Sequence, residues 1–224
     1  MTQDTTRVIV WDGAMRLFHW AIVLLVASMW WTAEQHIMDW HKRLGLILVG
    51  LLVFRLVWGL IGTKTARFAT MLAGPGALVG YVKDLLAGRH HPYFGHNPVG
   101  SLSVFAMLAS LAVQLGTGLF SVDTDGLESG PLASLVSFDV GRQAAKIHEI
   151  SFNVLFTLIC LHVIAIAVYL VFFKDNLVRP MVTGRRDAAE FEEADVQDNR
   201  LPWVRFLIAA AIAVAAVYAI LTIG

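Results

Sequence analysis

Five long apolar runs constrain this chain more than any other feature of its sequence. Four of them contain no Lys, Arg, Asp or Glu, and the second is interrupted only by Arg55. Each approaches or exceeds the roughly 20 helical residues that cross about 30 Å of hydrocarbon. The sequence therefore predicts an all-α integral membrane protein with five transmembrane helices, at residues 17–33, 44–62, 99–122, 150–173 and 206–224.

Composition supports a membrane setting and excludes several classes of function. Hydrophobic residues make up 57% of the 224 residues and charged residues only 15%, whereas soluble domains are nearer one quarter charged. The formal net charge is zero, so no basic field points to a nucleic-acid partner. The chain has a single cysteine, Cys160, and each of three groups needs at least two. An internal disulfide, a Cys-x-x-Cys-His haem attachment and an iron–sulfur cluster are therefore excluded.

The distribution of Lys and Arg among the loops predicts the orientation of the chain. The connections at 63–98 and 174–205 are rich in cations, and those at 34–43 and 123–147 are poorer. Because cation-rich loops stay on the cytoplasmic side, we expect the N-terminus in the cytoplasm and the C-terminus outside.

Four histidines fall at two depths of this predicted arrangement. We expect His148 at the outer start of the fourth helix and His162 within it, fourteen residues later. At 1.5 Å and 100° per residue they lie about 21 Å apart on one helix face. His41, at the start of the second span, matches the outer depth of His148, and His19 in the first span matches the inner depth of His162.

The ligand chemistry of these histidines favours haem over a bare metal ion. About 21 Å is too far for His148 and His162 to share one ion. Two separate zinc sites would each need further ligands, and we see no carboxylate at the inner depth to complete one. Two histidines on opposite faces of a flat macrocycle need no third ligand, so bis-histidine b-type haem fits best. For a single interfacial histidine, an ordinary hydrogen-bonded side chain is the alternative interpretation.

Arg55 and three glycines are further candidates in these spans. Arg55 follows His41 by fourteen residues, which places it at the inner depth. A buried arginine needs an anionic partner, which a haem propionate or a quinone oxygen would supply; the alternative is that Arg55 snorkels to the cytoplasmic surface. Gly45, Gly116 and Gly118 would let a haem approach the backbone, or serve helix packing.

These motifs together resemble the bacterial cytochrome b561 family, which includes the b-type cytochrome subunits of nickel–iron hydrogenases. The resemblance covers roughly residues 7–180. The motifs that carry it are Phe18-His19-Trp20, His41-x3-Gly45-x9-Arg55, His148-Glu149, His162 and Lys174-Asp175-Asn176.

The resemblance implies a four-helix dihaem core at 1–180, followed by a linker and an extra transmembrane helix at 181–224. It implies two b haems in the bacterial inner membrane. His19 and His162 would be the axial ligands of the inner haem, and His41 and His148 those of the outer haem. Electrons would pass between membrane quinone, as ubiquinone or menaquinone, and an outer donor. A hydrogenase-type protein, a periplasmic cytochrome c and superoxide are the candidate donors, and a homodimer is one assembly left open.

Three classes of function therefore stay open. The favoured one is an electron-transfer protein or quinone-linked oxidoreductase, and the sequence does not decide between these two. The others are a histidine-dependent metal transporter and a non-redox membrane anchor subunit.

Two loop features complete the expectations. Residues 77–86 form an apolar face, which predicts a short amphipathic helix on the inner surface. His90, His91 and His96 follow it, and we expect them to be solvated or bonded to near neighbours.

Overall fold

The computed structural model describes residues 7–125, 127–192 and 199–224. Part of the predicted linker, residues 193–198, therefore lies outside the described residues. Eight α-helices are present among those described. They are α1 (Gly13–Glu34), α2 (Met38–Ile61), α3 (Phe68–Met71), α4 (Pro75–Leu86), α5 (Pro98–Phe120), α6 (Phe138–Val171), α7 (Val178–Thr183) and α8 (Trp203–Ile223).

The prediction of an all-α membrane protein with five spans is confirmed. Helices α1, α2, α5, α6 and α8 are each long and apolar enough to cross a membrane. The amphipathic helix is also present as α4, which begins with Pro75 in its first turn, where the missing N–H costs nothing.

Helix α6 begins much earlier than its apolar run. It starts at Phe138, twelve residues before the predicted start at residue 150, and reaches 34 residues. Charged residues end a hydrophobic run but not a helix, because Arg and Lys are good helix formers. We had expected His148 at the start of this helix. That expectation is wrong, because His148 lies ten residues into α6.

A two-stranded antiparallel ribbon, which the sequence did not predict, joins two distant segments. Strand β1 (Arg7–Ile9) pairs with β2 (Arg185–Asp187), and Val8 lies opposite Arg186. Just after it, the N–H groups of Val10 and Trp11 donate to the carbonyl of Gly184 (2.9 and 3.2 Å). Gly184 has a φ of +80°, which glycine adopts without strain.

The chain divides into two compact units. The first comprises Met1–Leu17, Trp58–Phe105 and Cys160–Phe206, and the second comprises Phe18–Val57, Ala106–Ile159 and Leu207–Gly224.

Leucine packing forms the core of the second unit. The buried cluster comes from α2, α5 and α6, as Leu48, Val49, Leu52, Leu111, Leu115 and Leu155. Helix α8 packs on α2 at Gly50, where an added Cβ would lie 3.1 Å from Val217 Cγ2. Small residues permit this approach, since apolar side chains gain little from leaving lipid.

A buried carboxylate organises the first unit. Asp12 is 2% exposed and caps α1, with Oδ1 accepting from the Met15 N–H (2.7 Å). Its Oδ2 accepts from Trp58 Nε1 (3.2 Å) and from the Thr63 hydroxyl (2.5 Å). Three donors from two helices and a loop therefore meet one side chain. The sequence alone did not predict this role for Asp12.

Asn199 makes a second buried connection in this unit. Its amide nitrogen donates to the carbonyl of Ile9 (3.1 Å), and its oxygen accepts from the Thr65 N–H (3.4 Å). The Thr65 hydroxyl in turn donates to the carbonyl of Val10 (2.7 Å). Residues near both ends of the chain are thereby bonded to the segment after α2.

Replacing Asp12 with Ala will lower stability more than replacing an exposed aspartate. The change leaves three donors without an acceptor, which costs about 2–4 kcal/mol. Thermal unfolding in mild detergent measures the loss. Asp39→Ala is the matched control, since the Asp39 side chain is 86% exposed. Equal unfolding temperatures for the two variants would contradict the role of Asp12.

Candidate functional site

Two of the four predicted histidines lie side by side in the second unit. The ring centroids of His41 and His148 are 6.3 Å apart, and their planes cross at 81°. His41 is in the first turn of α2, and His148 is ten residues into α6.

The His41 ring is oriented by the carboxyl-terminal part of α1. Its Nδ1 lies 2.9 Å from the carbonyl oxygen of Met29 and 3.4 Å from the Thr32 hydroxyl. A carbonyl only accepts, so Nδ1 carries the proton and donates it to Met29. Nε2 is then the nitrogen with a lone pair free for a metal.

The His148 ring has the same arrangement, supplied by α5. Its Nδ1 donates to the carbonyl of Gln114 (2.8 Å), which again leaves the lone pair on Nε2. The Gln114 side-chain amide donates to that lone pair (3.1 Å), and the Ser151 hydroxyl donates to the Gln114 side-chain oxygen.

Sequence reasoning missed Gln114 and Ser151. The signal was present, because Gln114 is a polar amide in the middle of an otherwise apolar span. A buried amide in such a place needs bonding partners.

Both rings face a cavity of about 550 Å³. That volume falls within the about 300–1,000 Å³ of ligand pockets. Its walls are mainly apolar residues of α1, α2, α5 and α6. Lys42 and Glu128, which also line it, form an ion pair of 2.9 Å.

The three candidate glycines have different surroundings in the structure. Gly118 makes room for a histidine, since an added Cβ would lie 2.8 Å from Cε1 and 3.0 Å from Nδ1 of His148. Gly45 lines the cavity, and its added Cβ would touch only Met29 Cε at 3.4 Å. Nothing lies within 4 Å of an added Cβ at Gly116.

The ring separation fits two axial ligands of one metal ion. Two metal–nitrogen bonds of about 2 Å, plus about 1.1 Å from each nitrogen to its ring centre, give about 6 Å. The observed separation is 6.3 Å. The steep angle between the planes is compatible, because each ring can turn about its own metal–nitrogen bond. The residues present therefore fit a bis-histidine haem.

The other two histidines are half-buried and lie in different units. His19 is on α1 in the second unit and contacts Trp20 edge-on at 5.1 Å. His162 is on α6 in the first unit, and one uninterrupted helix carries it and His148. The pairing of His19 with His162 stays a prediction.

Arg55 lies on α2 in the second unit, enclosed by protein. Its side chain is only 2% exposed and has an interaction partner in the structure. The snorkelling alternative is therefore wrong, because the guanidinium does not reach the surface of the protein.

For the loop histidines we expected either solvation or a local hydrogen bond, and His90 is hydrogen-bonded. Its side chain is 9% exposed, and Nε2 lies 3.0 Å from Asp175 Oδ2. Arg186 donates to the other oxygen of Asp175 (2.8 Å). A loop residue can be buried by its partners, and no local pattern predicted Asp175 as the partner of His90.

A pair of tyrosines lies beside His90 in the same unit. The hydroxyls of Tyr81 and Tyr169 are 2.5 Å apart, and Asn97 donates to Tyr169 (3.2 Å). Burial, and then the bond to Tyr169, raises the pKa of the Tyr81 phenol. Tyr81 therefore stays protonated and anchors α4 to α6 as a neutral group.

Comparison with known proteins agrees with the site. No curated protein matches the chain significantly. The family described as prokaryotic cytochrome b561 matches residues 10–184. That match includes all three helices that carry the four histidines. The chain therefore belongs to the prokaryotic cytochrome b561 family.

Proposed function

We propose that this chain is a dihaem cytochrome that passes electrons between a donor on the outer side of the bacterial inner membrane and membrane quinone. Membership of the family makes it a membrane b-type cytochrome of electron transfer. The number of haems, the quinone, the donor and the orientation belong to the proposal.

The His41–His148 pair is the observation that supports the proposal most strongly. The rings stand at a bis-histidine separation, line one cavity, and each uses Nδ1 to bind a main-chain carbonyl. A lone interfacial histidine would need none of these features. We assign His41 and His148 to the outer haem.

The protein's contribution at this site is to fix two ligands in an apolar setting. Haem b supplies a one-electron carrier when bound. The carbonyls of Met29 and Gln114 hold the tautomers and make both Nε2 atoms more basic. In the haem-bound protein the Gln114 amide must release His148 Nε2, since that nitrogen has one lone pair.

We assign His19 and His162 to the inner haem, and Arg55 to an anionic oxygen at the same depth. The oxygen belongs to a haem propionate or to bound quinone, which is ubiquinone or menaquinone. Residues 1–180 would then form the dihaem core, and residues 181–224 a linker with an additional helix.

The alternative functions have less support. The described residues contain no group of three or more His, Cys, Asp or Glu that could hold a metal ion, which a transporter site would use. An anchor subunit would not need two histidines with fixed tautomers facing a cavity of about 550 Å³.

Haem content and quinol reactivity test the proposal directly. The protein is purified in mild detergent, and its haem is counted by the pyridine haemochrome method. We expect about two non-covalent b haems per chain, each able to take one electron. We also expect a short-chain quinol to reduce them in rapid mixing. Absence of haem would overturn the proposal, and haem that quinol and quinone leave unchanged would remove the quinone from it.

Single histidine variants test the two ligand pairs. We expect His41→Ala and His148→Ala to lose the same haem, leaving about one per chain, because a single axial histidine binds haem weakly. His19→Ala and His162→Ala should lose the other. The reduced-minus-oxidised spectrum distinguishes the two haems, and His91→Ala in the exposed loop is the control. Loss of one identical haem in all four variants would refute the pairing.

Two glycines of α5 provide a matched test of the outer site. Gly118→Ala pushes a methyl group against His148, whereas Gly116→Ala meets nothing within 4 Å. Overpacking costs about 1–3 kcal/mol, so we expect the Gly118 variant to retain the outer haem roughly tenfold less tightly. Transfer of haem to excess apomyoglobin measures retention. Equal loss from both variants would contradict the packing of His148 on Gly118.

A further inference from the structure

A second cavity, of about 760 Å³, lies in the first unit and has no part in the haem site. It is formed by β1 and the start of α1, by residues 174–187, and by residues 199–201. The Lys174-Asp175-Asn176 motif, which the proposed electron transfer does not use, supplies part of its wall.

Cations outnumber carboxylates among the described residues that line this cavity. The seven cations are Arg7, Arg16, Lys174, Arg179, Arg185, Arg186 and Arg200. The four carboxylates are Asp12, Asp175, Asp187 and Glu190, which leaves an excess of three positive charges.

The carboxylates are already engaged in other bonds. Asp12 binds Trp58 and Thr63, and Asp175 binds His90 and Arg186. Asp187 accepts from the Ala189 N–H (3.1 Å), while Glu190 binds Arg186. Arg186 takes two of these acids, Asp175 and Glu190, as partners. The acids therefore stabilise the wall and leave most of the cations available.

Arg16 is the best-placed of these cations. One terminal nitrogen donates to the carbonyl of Val182 (2.7 Å), which fixes the direction of the guanidinium. Its Nε is buried and has no hydrogen-bond partner among the described residues. Gly184 lies against it, since an added Cβ would stand 3.0 Å from Nε. A buried donor of this kind calls for an acceptor.

Other cations of the cavity are exposed. Arg7, Lys174, Arg179 and Arg185 form no ion pair with a carboxylate of the described part of the chain. Arginine forks and a lysine suit the several oxygens of a phosphate group.

We propose that this cavity binds a phosphate group, carried either by an anionic phospholipid or by a soluble phosphate compound. The positions of two of these cations at the ends of membrane-spanning helices favour the phospholipid over the soluble compound. Lys174 comes three residues after the last residue of α6, and Arg16 is in the first turn of α1. Ends of membrane-spanning helices lie at headgroup depth, where basic pockets bind anionic lipids.

Lipid titration of the detergent-purified, haem-loaded protein tests the site. Native mass spectrometry follows binding of phosphatidylglycerol, with phosphatidylcholine as the zwitterionic comparison. Isothermal titration with inorganic phosphate tests the soluble source. The variant Lys174→Gln/Arg179→Gln removes two exposed cations of the cavity. Lys83→Gln on α4 is the control, because it removes an exposed cation outside the cavity.

One saturable phosphatidylglycerol site is the expected result, with little phosphatidylcholine binding. The double variant should bind about tenfold or more weakly, since each cation near a lipid surface contributes about fivefold. The Lys83 control should change less than about twofold. Inorganic phosphate binding with the same dependence on Lys174 and Arg179, and no phosphatidylglycerol site, would support the soluble source.

Three results would overturn the proposal. The first is the absence of a saturable site for either probe, and the second is equal loss in the double variant and the Lys83 control. The third is binding that occurs only after Glu193, Asp195 and Asp198, which lie outside the described residues, are changed to amides, because the cations would then serve the chain's own acids. Haem content is measured in every variant, so a failure here is distinct from a failure of the proposed electron transfer.

Discussion

Hydrocarbon offers no hydrogen-bond partner, and this constraint governs the backbone of the spans and the two histidines that face the cavity. Backbone groups satisfy themselves in α1, α2, α5, α6 and α8. Side chains must find partners as well, which explains why His41 binds Met29 and His148 binds Gln114. The same bonds that satisfy Nδ1 determine which nitrogen faces the cavity. The need to satisfy hydrogen bonds inside the lipid therefore stabilises the spans and also orients the two histidine ligands.

The proposed outer site depends on close approach as much as on ligands. Gly118 lets α6 bring His148 close to α5, and the Gln114 carbonyl then lies within bonding distance. Each element restrains the next, because a larger residue at 118 would displace the ring from its carbonyl. Helix packing therefore determines the 6.3 Å separation of the two rings, whereas the sequence determines only that histidines stand at these positions.

In the first unit, buried polar side chains link distant segments of the chain. Asp12, Asp175 and Asn199 are buried there, and each joins segments that are far apart in the chain. Buried carboxylates are tolerated only with several donors, and Asp12 and Asp175 both have them. Placing the acids in such bonds leaves an excess of positive charge on the cavity wall, which is the basis for the proposed phosphate site.

The sequence by itself determined the five spans, the family motifs and the four candidate histidines, because apolar length and ligand type are local properties. It also predicted α4 from a local pattern of apolar residues. The early start of α6 at Phe138 is also a local property, which the start of the apolar run concealed. Only the tertiary structure decided that His90 is buried against Asp175 and that Gly118 accommodates His148. It also revealed the roles of Gln114 and Asp12. These facts depend on partners distant in the chain, and no local pattern specifies which distant groups will meet.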